Sequence, residues 1–401
     1  MPSRSSIEVK EKIRQNWNKL LRENLLDVSE SLLGGSPPSV FVGSYSYPKV
    51  NIGPLVSTKC GDVKFLDHPE EWTGLELEDL ISNRLSLIRG TSLASAIVDA
   101  NNNKYVELLQ ELAMANKSIN IEVKFDKKPT LRFEEIDNSS VTDADSVQFG
   151  LVSKMEGLRI PAAISVDKRI EKVYYDQDLN ANEAVNMLYN KGTEISRLSK
   201  ILSIGMLGTK KRRKLVPTKW SITAVDQIIS ANLIKKLIDY SSLDNFHLYR
   251  YAHLGNDYAI ILIPDLVWSF EMHEAWIDND GKVSIESAAE ISGSPKNYPK
   301  IGGSYFAARV AVTEYLERHR RKSAAIILRQ IHPDYVLPVG VWQIREGIRM
   351  AMKTKGEIFD SLDKAITQAC VGMNISKNEW TSNSAIINSI RQQRRISEYI
   401  H

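Results

Sequence analysis

The sequence is poor in the residues that build metal-bound and disulfide-linked folds. Among its 401 residues there are two cysteines, Cys60 and Cys370, and neither has partners at the spacing of a structural zinc site. This excludes a zinc finger. We therefore expect no bound metal and no cofactor.

Long hydrophobic runs are also missing. A membrane-spanning helix needs about 18 or more apolar residues in a row, and the longest candidate, Tyr258 to Phe270, is interrupted by Pro264 and Asp265. The first ten residues carry charges without an apolar stretch, unlike a signal peptide. We expect a cytoplasmic protein without membrane contact.

The short motifs of familiar active sites do not occur either. There is no Gly-x-Ser-x-Gly, no His-Glu-x-x-His, no Walker A loop and no dinucleotide-binding fingerprint. Glu271, His273 and Glu274 stand close together, and a surface charge pattern accounts for them better than a metal site does. The sequence shows no active site, so whether the protein is an enzyme stays open.

What remains is an ordinary globular composition, with 43% hydrophobic and 25% charged residues. The length is enough for two domains. A net charge of +3 is too small to indicate a nucleic-acid-binding protein by itself, so the placement of the charges matters more than their sum.

Hydrophobic periodicity changes between helix and strand along the chain. Helical spacing covers residues 8–33, 75–112 and 180–240, the last with breaks at residues 190–192 and 208–219. Strand-like patterns cover residues 37–64 and 247–286, and residues 119–135 resemble a β-hairpin.

The C-terminal part also mixes both patterns. It predicts a helix, a strand and two further helices, over residues 305–322, 324–330, 341–352 and 357–372. Residues 291–303 are rich in proline, glycine and serine, and we place a domain boundary there. The whole pattern predicts an α+β fold or a mixed α/β fold.

The C-terminal tail carries a recognisable binding pattern. Residues 393–400 read Gln-x-x-aliphatic-x-x-aromatic-hydrophobic, which is the pattern of a peptide that binds a sliding clamp. In one helical turn Ile396, Tyr399 and Ile400 stand at i, i+3 and i+4 and form one apolar plug, while the amide of Gln393 suits a polar pocket beside it. The alternative is that these side chains pack the end of a last helix.

The strongest cluster of charge consists of five consecutive cations, Lys210, Lys211, Arg212, Arg213 and Lys214. Thr223 is placed to cap the helix that follows, and a helix N-terminus beside cations favours phosphate. Trp220 is positioned to stack on an unpaired base or to pack in the core. A solvated basic loop is the alternative reading.

Two Gly-Ser-Tyr turns are weaker candidates for phosphate binding. One lies in residues 43–48, and the other opens a helix with Gly303, Ser304 and Arg309. Glycine lets an anion approach the backbone closely. Ordinary turn chemistry explains both turns as well.

Several longer stretches together resemble the archaeal Nre family of DNA repair proteins. They are residues 41–55, 212–223, 302–309 and 340–346. The resemblance covers nearly the whole chain and implies an N-terminal domain (1–290), a C-terminal domain (291–388) and a tail (389–401). It implies a role in the response to DNA damage and recruitment to the sliding clamp, PCNA, through Gln393, Ile396, Tyr399 and Ile400. The chain looks like the zinc-free branch of the family.

Three functions stay open at this point. The first is a repair factor that contacts DNA or nucleotide phosphates, is recruited by the clamp and meets other repair proteins. The second is an enzyme acting on nucleotides or DNA ends, with Gly-Ser-Tyr turns and arginines, among them Arg345, around a phosphate. The third is an adaptor without affinity for DNA.

Overall fold

The computed structural model describes residues 28–97, 99–100, 102–131, 150–265, 267–278, 280–291, 298–335 and 339–392. The described residues form two compact units, one that ends at residue 229 and one that begins at residue 230. No helix within the described part is long and apolar enough to cross a membrane.

The first unit is built on a seven-stranded mixed sheet with the order β1-β5-β7-β4-β3-β2, and β6 pairs with β7 at its side. Strands β4 and β7 run parallel, and the other pairs are antiparallel. The strands are β1 (Ser31–Ser36), β2 (Val40–Val42), β3 (Lys49–Ser57), β4 (Leu87–Ser95), β5 (Ile119–Phe125), β6 (Thr130–Leu131) and β7 (Leu151–Arg159).

Among the described residues, five helices lie within this unit and a sixth begins in it. Three of them start at a residue whose side chain accepts hydrogen bonds from the first free backbone N–H groups, as helix starts commonly do: Asn103, Asp167 and Asn180. The helices are α1 (Leu77–Leu85), α2 (Lys104–Met114), α3 (Lys168–Tyr175), α4 (Ala181–Asn190), α5 (Ile195–Ser203) and α6 (Thr218–Leu237).

The second unit is built on a six-stranded sheet with the order β12-β11-β14-β10-β9-β15. Its central strand β14 pairs parallel with β11 and antiparallel with β10. A separate pair joins β8 (Ser241–Ser242) to β13 (Arg321–Lys322). The strands of the large sheet are β9 (Phe246–His253), β10 (Asn256–Ile263), β11 (Ser269–Ile277), β12 (Val283–Ile291), β14 (Ala324–Ile331) and β15 (Glu357–Phe359).

Helices cover both faces of this sheet. Side chains of β10 alternate between two cores, so that Ile260 packs with α7 and α8 while Ile261 packs with α9 to α11. A strand buried on both faces reads as a continuous apolar run, as residues 258–263 do. The helices are α7 (Gly302–His319), α8 (Trp342–Ala351), α9 (Leu362–Ala369), α10 (Lys377–Thr381) and α11 (Ala385–Gln392).

The mixed order of helices and strands confirms the predicted fold class, with two mixed sheets. Predictions for the longer elements are also confirmed. Residues 180–240 form α4, α5 and α6 with breaks at both expected places, and residues 247–286 fall in β9 to β12.

Four local predictions were wrong, and in each case strand pairing explains the difference. Residues 31–33 belong to β1, not to a helix, because they pair antiparallel with residues 122–124 of β5. Residues 87–95 form β4 between β3 and β7. Strands β5 and β6 do not form a hairpin, since both pair with β7. Residues 357–359 form β15 beside β9.

Candidate nucleic-acid interface

The basic segment, residues 210–214, folds as a single 3-10 turn over Lys210–Arg212 followed by extended backbone. Lys210, Lys211, Arg212 and Lys214 are exposed, whereas Arg213 is buried. Four of the five cations are therefore placed to meet an anion from solvent.

Arg213 instead holds the segment in place. Its guanidinium donates hydrogen bonds to the carbonyl oxygens of Gly208, at 2.8 Å, and Tyr174, at 2.6 Å, and lies over the Tyr174 ring. Burial lowers the pKa of this guanidinium, and the neighbouring Tyr174 and Asp176 oppose that shift. A buried arginine in this setting fixes a loop, so its four exposed neighbours are presented on a defined backbone.

Helix α6 begins at Thr218, and residues 215–217 connect it to the basic segment. The predicted cap at Thr223 was wrong, because Thr223 lies inside the helix and its hydroxyl donates to the carbonyl oxygen of Lys219 at 3.4 Å. The hydroxyl of Thr218 accepts from the backbone N–H of Val42 at 3.0 Å, which ties the start of α6 to β2. One face of α6 is apolar, and its Val225 and Leu233 side chains are buried.

Trp220, in the first turn of α6, is 45% exposed and is therefore not a core residue. Its ring lies 5.1 Å from that of Tyr47, measured between ring centroids. Sequence reasoning missed this neighbour, although the aromatic residues of the Gly-Ser-Tyr turn at residues 43–48 were a visible signal. The structure brings the first turn and Trp220 together within the first unit.

The second Gly-Ser-Tyr turn opens α7 in the second unit, where Gly303 and Ser304 stand in the first helical turn and Ser304 is buried. Arg309 is also buried, and its guanidinium donates to Glu290 at 2.7 Å and to Ser230 at 2.7 Å. This arginine is therefore engaged within the fold. Arg345, on α8, is buried as well.

The acidic cluster on β11 corrects a further expectation. Glu271, His273 and Glu274 are buried and do not form a surface charge pattern. Glu274 forms an ion pair with Arg329. The carboxylate of Glu271 meets the start of α11, where it accepts hydrogen bonds from the Ser384 hydroxyl at 2.6 Å and the Ala385 N–H at 2.8 Å. Burial alone would raise the pKa of Glu271, but its hydrogen bonds with His273, Ser384 and Ala385 lower it on balance. Among the described residues no group of His, Cys, Asp and Glu is placed to hold a metal ion.

The clamp-binding pattern at Gln393, Ile396, Tyr399 and Ile400 lies outside the described residues. The structure describes the chain as far as residue 392, the last described residue of α11. The assignment of these four residues therefore stays a prediction.

Comparison with known proteins identifies the family. The family model described as "Archaeal Nre, N-terminal" matches residues 5–280, and "Archaeal Nre, C-terminal" matches residues 290–399. DNA repair protein NreB of Archaeoglobus fulgidus is 37% identical over 92% of both chains, and NreA of the same organism is 34% identical over 88% of both. NreA of Haloferax volcanii is 32% identical over 83% of this chain and 80% of its own. No solved structure matches. The chain therefore belongs to the archaeal Nre family of DNA repair proteins.

Proposed function

We propose that the protein acts in DNA repair by contacting DNA phosphates through its basic segment and by binding the sliding clamp through its C-terminal tail. The observation that carries the DNA contact is the exposure of four cations on a segment anchored by the buried Arg213. Such a segment gives attraction to phosphate that does not depend on base sequence.

Support for the clamp contact comes from the tail sequence. Ile396, Tyr399 and Ile400 form one apolar plug when the tail turns helical, and Gln393 adds a polar contact. The plug residues follow α11, the last described helix, in the sequence. A segment at a chain terminus reaches a partner without disturbing the core.

The DNA contact predicts a salt-dependent affinity that the exposed lysines control. Each phosphate contact contributes a slope of roughly −0.9 to the dependence of log affinity on log salt for duplex DNA. Replacing Lys210 and Lys211 by glutamine is expected to weaken binding and to make this slope shallower by about one to two. Fluorescence anisotropy with labelled DNA over a salt series measures both quantities.

The matched control replaces Lys127 and Lys128, an adjacent and exposed lysine pair in the same unit. That variant is expected to bind DNA as the intact chain does. If both double replacements weaken DNA binding equally, the basic segment contributes only as general surface charge and is not the specific contact. An intact chain with no DNA affinity at low salt contradicts the proposed contact.

The clamp contact is tested by calorimetry with the sliding clamp of the same organism. We expect binding in the micromolar range or tighter that is lost in a chain ending at Gln392 and in Tyr399→Ala, since both remove the plug. Ser397→Ala, which changes a tail residue outside the plug, serves as control and should bind like the intact tail. Binding that survives Tyr399→Ala would place the clamp contact elsewhere.

A further inference from the structure

Three exposed aromatic rings from two distant segments lie on the first unit. Tyr45 and Tyr47 stand in the turn between β2 and β3, and Trp220 stands in the first turn of α6. Their exposed fractions are 82%, 39% and 45%. Trp72 of the same unit is buried at 1%, whereas these three rings face solvent, as Phe65 and Tyr175 also do, although aromatic burial is strongly favourable. We call Tyr45, Tyr47 and Trp220 the aromatic platform.

The aromatic platform is held by a defined scaffold. The hydrogen bond from the Val42 N–H to Thr218 fixes the strand before the turn to the start of α6. Within the turn, the Lys49 N–H donates to the Ser46 carbonyl oxygen at 2.9 Å. The Tyr47 and Trp220 rings are tilted by 58° to each other and are in contact. Rings held in this way lose little conformational entropy when a flat partner stacks on them.

Cations flank the aromatic platform. The Ala96 N–H donates to the Pro48 carbonyl oxygen, and the Ala96 carbonyl oxygen accepts from the Leu215 N–H, both at 2.8 Å. Two such backbone steps span roughly 10 Å, so the turn lies close to Lys214, which immediately precedes Leu215. Lys49 is exposed at the other end of the same turn.

Exposed rings next to cations fit an unpaired strand better than a duplex. A duplex offers phosphates but hides the faces of its bases, and it would leave the three rings unused. An unpaired strand offers both, because every base has a face for stacking and a phosphate for the lysines. We propose that the aromatic platform stacks unpaired bases, so that the protein takes single-stranded DNA in preference to duplex DNA. This inference rests on the proposed DNA contact.

The test uses anisotropy with three labelled probes: a short oligothymidylate, a duplex of the same length, and a strand of the same length whose sugars carry no bases. The full-length chain is expected to bind oligothymidylate most tightly. Tyr45→Leu and Trp220→Leu keep apolar bulk but remove the stacking face, and each is expected to weaken oligothymidylate binding roughly five- to 150-fold. Neither is expected to change binding of the strand without bases.

Two variants separate stacking from damage to the fold. Trp220→Phe keeps a ring and is expected to retain most of the affinity. Phe65→Leu removes a ring that is 40% exposed elsewhere in the same unit and should have no effect. Because Tyr45 is the most exposed of the three rings, its replacement is not expected to disturb folding.

Each outcome bears on one proposal or on both. Equal binding of oligothymidylate and duplex overturns the inference, and so does full affinity in Tyr45→Leu and Trp220→Leu. In both cases the proposed DNA contact still stands if replacing Lys210 and Lys211 weakens binding. Absence of binding to all three probes at low salt overturns the DNA contact and the inference together.

Discussion

Single residues of one chemical type have different roles in this protein. The basic segment reads as five equal cations, yet Arg213 is bound to the carbonyl oxygens of Gly208 and Tyr174, and its neighbours are exposed. Arg309 is likewise bound to Glu290 inside the second unit. Whether an arginine meets solvent or a buried acceptor depends on which distant residues the fold brings to it.

At the same scale, His68 and Glu194 form a pair that makes stability depend on pH. His68 Nε2 lies 2.9 Å from Glu194 Oε1. The hydrogen bond to His68 lowers the pKa of Glu194 to about 2, from 4.5. Burial alone would lower the pKa of His68, but the hydrogen bond and the charge of Glu194 raise it above 6.5 on balance.

The two shifts define a pH window. The contribution of Glu194 is complete above 4.5 and is lost as the pH falls toward 2. The contribution of His68 is complete below 6.5 and is lost as the pH rises through its raised pKa. The pair is therefore most stabilising between these two values. The intact chain is expected to lose stability between ~pH 6 and ~pH 8. His68→Gln is expected to lose less stability over the same range, and thermal unfolding measures the difference.

Glu194→Gln removes the other partner and is expected to reduce the pH dependence in the same way. An unchanged pH profile in both variants would mean that the pair does not contribute. A changed profile in His68→Gln alone would assign the effect to the other carboxylate at 2.9 Å, Glu71.

At the scale of secondary structure, the helices of residues 180–240 and the strands of residues 247–286 were predicted correctly, whereas strands β1, β4 and β15 were not. Helices α4, α5 and α6 follow from the helical spacing within each segment, and α4 also begins at a capping residue, Asn180. Strand β15 has three residues and exists because β9 offers an edge to pair with. The pairing partner of a strand lies far away in sequence, so local patterns do not reveal it.

The start of α11 shows how a buried charge serves a helix. Glu271 on β11 accepts hydrogen bonds from the Ser384 hydroxyl and from the first N–H groups of the helix, at Ala385 and Ile386. A carboxylate at a helix N-terminus is favourable, because it meets free donors and the positive end of the helix dipole. This arrangement fixes the last helix before the tail, and it explains why a glutamate is tolerated in the core.

At the scale of the whole molecule, the two family models divide the chain at a different place from the two compact units. The two family models meet between residues 280 and 290, whereas the compact units divide at residue 229. The sheet of the second unit combines β10 and β11, which precede the family boundary, with β14, which follows it. The predicted domain division at residue 290 stays a prediction.

This topology predicts that a chain ending at residue 290 will not fold its second sheet. It lacks β14, which lies between β10 and β11 and is buried on both faces, so their inner edges are exposed. We expect low soluble yield and, in any soluble fraction, rapid amide exchange over residues 246–290. A chain ending at residue 392 keeps every described strand and is expected to behave like the full-length protein. Slow exchange over β10 and β11 in the shorter chain would contradict this prediction.

The sequence by itself determined the fold class, the longer helices, the basic segment and the family, because these depend on local patterns and on long similar stretches. It also supplied the tail pattern, which the described residues do not reach. Tertiary structure decided which strands pair, which arginines are buried, and that Tyr47 meets Trp220. These features join residues far apart in the chain, and such contacts form only when burial of the cores brings the segments together.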